Sequence, residues 1–193
     1  MSKSKPVHLD ENNQVASVTR RLMGVLYDGM LVLALLFLMG LILTAIGTLL
    51  FGKVGVQASD AQALPAWYRH FVLSPSFLLT LLGFYGLFWR KSGQTLGMQT
   101  WRLKTVTNDG KLLTWAQSVL RILCATLVPL LCALVGMALY RTVMAAGLSA
   151  FLGLLLNYAF CWVHPKGLAI HDWLSRTLTV RIERFEHKGL FRK

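Results

Sequence analysis

"TRRLMGVLYDGMLVLALLFLMGLILTAIGTLLF", residues 19–51, opens on two arginines and then carries a single acid, Asp28, in an otherwise apolar run. As a helix, residues 22–51 would be about 45 Å long against a hydrocarbon core of about 30 Å, so the segment spans a bilayer with tilt or with one end protruding. The length of the run, with no small-residue cleavage site after a short apolar core, predicts a permanent helix and not a removable signal peptide.

Three further stretches have the same character: residues 71–89, 115–139 and 142–163. With 55% hydrophobic residues and only 15% charged ones, the composition is that of a membrane protein and not of a soluble domain. The expected fold is an all-α membrane protein, a four-helix transmembrane bundle. Of the twenty Lys and Arg residues, sixteen lie before residue 22, between the second and third spans, or after residue 163. The positive-inside rule then puts both termini in the cytoplasm. This topology accounts for the net charge of +12, and the expected partner is a bilayer with anionic headgroups, not a nucleic acid. Cys124, Cys132 and Cys161 all fall inside spans without CxxC spacing and read as small apolar fillers, so no metal and no cofactor is expected.

Between spans two and three, "RKSGQTLGMQTWRLKTVTNDGKLLTW" (residues 90–115) begins glycine-rich and then alternates. Residues 101–106 read as a strand, Asn108-Asp109-Gly110 as a hairpin turn and residues 111–113 as a return strand. A second alternating run, residues 177–182, is expected to join this hairpin (101–113) as a third strand, giving a small cytoplasmic β-sheet cap. Gly93, Thr95 and Gly97 lack the P-loop lysine and a preceding strand, which favours a tight turn at the membrane surface over a phosphate cradle.

Counting residues along the helices places three polar side chains at one depth. Asp28, Arg121 and Asn157 each lie roughly 9 Å inside the inner boundary, which predicts an Asp28–Arg121 ion pair completed by the Asn157 amide. Arg21, about 10.5 Å from Asp28 along the helix, is expected to snorkel to the lipid heads. In the third span Pro129 predicts a kink and a carbonyl freed near Ala125. In the fourth, Ala145, Ser149, Gly153 and Asn157 form a ladder of small or polar residues, read as an intrachain packing seam. His171 and Asp172, with His164 upstream, lack helical ligand spacing. Asp172 is expected to pair with Arg20, Arg21 or Arg102 and pin the tail to the bundle.

Taken in order, "RRLMGVLYD", "GQTLGM", "NDG", a base near the start of the third span and "HD" ahead of a threonine-led strand resemble the RDD family of bacterial membrane proteins. The resemblance implies that Arg21, Asp28 and Asp172 are the family's arginine and two aspartates, with Gly93, Thr95, Gly97 and His171 as further signature residues. It implies a multi-pass protein of the bacterial inner membrane, with an N-terminal segment 1–21, a membrane domain 22–182 and a basic tail 183–193. It also implies transport of an unidentified ligand. No nucleophile, base and orienting group stand in a catalytic order, so an enzyme is not expected. Two functions stay open. One is a transporter in which Asp28 exchanges a proton or cation against Arg121, the chain forming a homo-oligomer to enclose a path. The other is a non-transporting interaction or assembly protein whose buried Asp/Arg pair is structural.

Overall fold

The structure is a computed structural model, described here for residues 15–51 and 64–182. Residues 1–14 and the basic tail 183–193 lie outside the described residues. Four helices are long and apolar enough to cross a membrane: α1 (Val18–Phe51), α2 (Ala66–Lys91), α4 (Trp115–Tyr140) and α5 (Val143–Val163). Two short helices, α3 (Leu96–Thr100) and α6 (Ile170–Leu174), and two strands, β1 (Leu103–Thr107) and β2 (Thr177–Arg181), gather at one end of the bundle. The chain is therefore the helical membrane bundle with a small sheet that its composition and patterning predict.

Only a narrow stripe of α1 is buried, Val18, Arg21, Gly24, Asp28 and Val32, with Gly47 further along. Much of the remaining side-chain surface, such as Phe37 and Leu49, is exposed and apolar, as lipid contact requires. Helix α2 begins before the predicted residue 71, behind Pro65, and passes through a π-helical turn at Arg69–Leu73. Pro75 explains that turn: it has no N–H to donate and its ring crowds the preceding turn, so the ladder widens ahead of it. The Ser74 hydroxyl then donates to the Arg69 carbonyl at 3.0 Å.

Helices α4 and α5 form a tight hairpin across Arg141 and Thr142. Arg141 adopts a left-handed φ of 53°, and the Thr142 side chain caps α5 by accepting from the Ala145 N–H at 3.2 Å. The small-residue ladder of α5 lies in this intrachain seam. A β-carbon added to Gly136 would come 2.3 Å from Ser149 Oγ, and one added to Gly153 would come 2.9 Å from the Pro129 Cα and the Val128 carbonyl. Gly153→Leu should therefore force the hairpin apart and cost about 1–3 kcal/mol or more, read as a lower unfolding midpoint in detergent. The conservative control Ala145→Ser, earlier on the same ladder, should be nearly silent.

The sheet differs from the expected three-stranded hairpin. β1 and β2 pair antiparallel with Leu103 opposite Arg181 and Thr107 opposite Thr177. Residues 111–113 do not form a strand: after the turn at Gly110, with its φ of 73°, a single backbone–backbone bond runs from the Thr107 N–H to the Lys111 carbonyl at 2.9 Å, and the Lys111 N–H donates to the Thr107 hydroxyl at 3.2 Å. Burial decides this, because Leu113 turns inward, 2% exposed, against Ala16, Trp89, Met98 and Leu103. The Gly93 carbonyl takes part of that edge instead, accepting from the Thr105 N–H at 2.7 Å. The other edge, on β2, is met by the residues just before α1: Val15 bridges to Val180 and the Ala16 N–H donates to the Thr179 carbonyl at 3.0 Å.

Candidate functional site

Asp28 is held by α3. Thr95 is the N-cap of that helix, its side chain accepting from the Met98 N–H at 3.3 Å while its hydroxyl donates to Asp28 Oδ2. The Gly97 N–H donates to Asp28 Oδ1 at 2.9 Å. The carboxylate thus sits where the first amides of α3 are left free by helix geometry. Close approach of the two backbones makes this possible, since a β-carbon on Gly97 would meet the Gly24 carbonyl at 2.5 Å. Gly93, with φ of 75°, supplies the turn that brings α3 back against α1. The GQTLG stretch is therefore a clamp on Asp28.

The other two signature residues meet elsewhere. Asp172, on α6, is wholly buried between two guanidiniums: Arg21 Nη1 bonds its Oδ2, and Arg121 Nη1 lies 2.6 Å from its Oδ1. Arg21 does not snorkel; it is 3% exposed. Its side chain reaches back toward the start of α1, donating to the carbonyls of Ala16 at 2.9 Å, Thr179 at 3.2 Å and Gly167 at 3.5 Å, and it contacts Cys161 Sγ at 3.6 Å. Arg121 also donates to the Thr177 hydroxyl and, at 3.0 Å, to that of Thr179, the inward-facing threonines of β2. Its guanidinium lies 5.3 Å over the ring of Trp89.

The expected Asp28–Arg121–Asn157 triad is thus not assembled. Equal depth along three helices fixes height in the bundle and says nothing of which short helix folds in between; α3 and α6 bring nearer partners to each group. Asn157 instead spans α4 and α6. Its Nδ2 donates at 3.2 Å to the carbonyl of Ala125, the one that Pro129 leaves without a helical donor. Its Oδ1 accepts from the His171 backbone N–H at 3.2 Å and from His171 Nδ1 at 3.0 Å, which fixes the proton of a neutral ring on Nδ1.

Burial pushes the His171 imidazole down to about 3, helped by the Arg121 and Arg21 charges and opposed by Asp172. Burial alone would raise the Asp172 carboxyl, but Arg121 and Arg21 outweigh it and hold Asp172 well below the usual carboxylate range. Both shifts have the same consequence for pH. The unfolded histidine binds a proton below about 6.5 and the folded one only near 3, so stability should fall as pH drops through that window, by up to about 1.4 kcal/mol per pH unit. The Asp172 contribution is present above about 3.8 and is lost below it. Unfolding midpoints between pH 7 and 4 should decline in the wild type and flatten in His171→Gln, which keeps a donor for Asn157.

Between α1, α2, α4 and α5, beneath the sheet, lies a cavity of about 300 Å3. Asp28, Arg21 and Arg121 all line it, with Tyr85, Trp89 and Tyr158 among the aromatic walls. Asp28 and Arg121 share this space without bonding to each other. Of the bases expected to pair with Asp172, Arg21 does so, while sequence reasoning missed that Arg121 serves it too; the signal available was the pair of threonines two apart in the strand after Asp172, which places two hydroxyls on one face.

No curated protein and no solved structure matches the chain significantly. The sequence model of the RDD family matches residues 15–176, a stretch that holds the Asp28 clamp and the whole Arg21–Asp172–Arg121 cluster. The chain belongs to the RDD family, whose members are membrane proteins.

Proposed function

We propose that this multi-pass membrane protein is not an enzyme but takes part in moving an ion or small solute, with the cavity as its binding place. The observation that carries this reading is that Asp28 and Arg121, both intramembrane and of opposite charge, line one cavity and do not neutralise each other. Ionisable groups at membrane depth that face a cavity are the usual elements of a transport path. In the same reading the sheet end, rich in bases, faces the cytoplasm of a bacterial inner membrane against anionic lipid heads, and copies of the chain assemble to enclose the path.

A second reading has its own support. The Arg21–Asp172–Arg121 cluster ties the start of α1, α4, α6 and β2 together through contacts that leave little charge exposed, which suits a scaffold for assembly. Proteoliposomes decide between them. Movement of H+, Na+ or K+, or uptake from a pool of labelled small solutes, is expected above empty vesicles and reduced in Asp28→Asn at matched protein. Folded protein that moves none of them would overturn transport in favour of the scaffold.

A further inference from the structure

Ionisable groups of opposite sign line the cavity without pairing across it. Among the described residues the donors to Asp28 are the Thr95 hydroxyl and the Gly97 N–H, both neutral, so an ionised Asp28 has no counter-charge there. Arg21 and Arg121 share one acid, Asp172, which leaves their cluster one positive charge in excess. Among the described residues no ion pair joins Asp28 to either arginine, although all three line the same space. In a medium of low dielectric an unpaired Asp28 charge and the positive excess of the cluster are each costly. Trp89 also lines the cavity, its ring beneath the Arg121 guanidinium.

We propose that the cavity binds a zwitterion, a ligand whose primary ammonium donates to Asp28 and whose carboxylate or phosphate accepts from Arg121. A ligand of one sign would satisfy one wall and be repelled by the other. Hydrogen-bond valence points the same way. An ionised carboxylate accepts about four bonds and Asp28 uses two, while an ammonium brings three donors. The aromatic residues Tyr85 and Tyr158 also line the cavity. A volume of about 300 Å3 is at the small end for ligand cavities and suits an amino acid or a phosphoethanolamine group. This inference rests on the cavity being the functional site and names the class of its solute.

The test uses purified full-length protein and three matched probes: leucine, 4-methylpentanoate, which lacks the ammonium, and isopentylamine, which lacks the carboxylate. Phosphoethanolamine is the fourth. By calorimetric titration and thermal shift, leucine or phosphoethanolamine should bind at least about tenfold more tightly than either single-charge probe, the worth of one charge-assisted hydrogen bond. Asp28→Asn should abolish the advantage of leucine over 4-methylpentanoate. Nanodiscs separate the sources. Stabilisation by phosphatidylethanolamine over phosphatidylcholine, whose quaternary ammonium cannot donate, with no response to free probes, assigns the zwitterion to a lipid headgroup; a response to free probes assigns it to a soluble solute. Equal binding of single-charge probes, or folded protein that answers to neither free nor lipid zwitterions, overturns the proposal. Zwitterion binding without flux would overturn only the transport reading, and cation flux without zwitterion preference only this one.

Discussion

Asp172→Asn should destabilise the protein by about 3–5 kcal/mol, the range for breaking a fully buried ion pair from one side. The carboxylate is wholly buried and stands between the guanidiniums of Arg21 and Arg121, so its removal leaves two positive charges facing each other with no acid between them. Their remaining partners are neutral carbonyls and the hydroxyls of Thr177 and Thr179. Unfolding in mixed detergent micelles measures the loss. A change below about 1 kcal/mol, the worth of an exposed pair, would mean that water reaches both arginines and that the cluster does not hold the sheet to the bundle.

Arg121→Gln is the companion, with an expected loss of similar size, and its value lies in what it couples to. A double-mutant cycle between Arg121→Gln and Asp172→Asn should show strong non-additivity, on the order of 1–3 kcal/mol, because once Asp172→Asn has left two guanidiniums without an acid, Arg121→Gln removes one of the stranded charges. The cycle of Arg121→Gln with Asp28→Asn should come out nearly additive, within about 0.5 kcal/mol, since these side chains are not bonded. Asp28→Asn should instead couple to Thr95→Val, which deletes the hydroxyl held against the carboxylate. Coupling between Asp28 and Arg121 as large as that between Arg121 and Asp172 would refute the arrangement described.

The spans were legible because length and hydropathy act over twenty or more residues, where local accidents average out. Pro129 was legible too: a missing N–H frees a carbonyl four residues back, and Ala125 is where Asn157 donates. What spacing could not supply was the role of five-residue helices. Leu96–Thr100 and Ile170–Leu174 are too short to show a 3.6-residue period, yet they carry the Gly97 amide to Asp28 and the Asp172 carboxylate to Arg121. For the same reason the depth argument joined Asp28 to Arg121 across what is a cavity. The failed third strand has a different cause. Alternation in residues 101–113 favoured a hairpin, but the burial of Leu113 outweighed the ladder it would have extended, and the sequence neighbourhood of Val15 gave no hint that it would lie beside Val180.

The bond between Arg21 and Asp172 joins positions 151 residues apart, and Ala16 reaches Thr179 across a still longer interval. A ribosome therefore delivers the first helix into the bilayer long before the acid that will hold its arginine exists. Through the synthesis of three further helices Arg21 must be accommodated by lipid heads or water, and residues 15–21 meet residues 172–180 only after the spans between them are in place. Closure of so large a loop is a late and slow event in assembly. The four spans are thus latched by the segments that flank them, and a chain that stops short of β2 would leave all four spans made but the latch open.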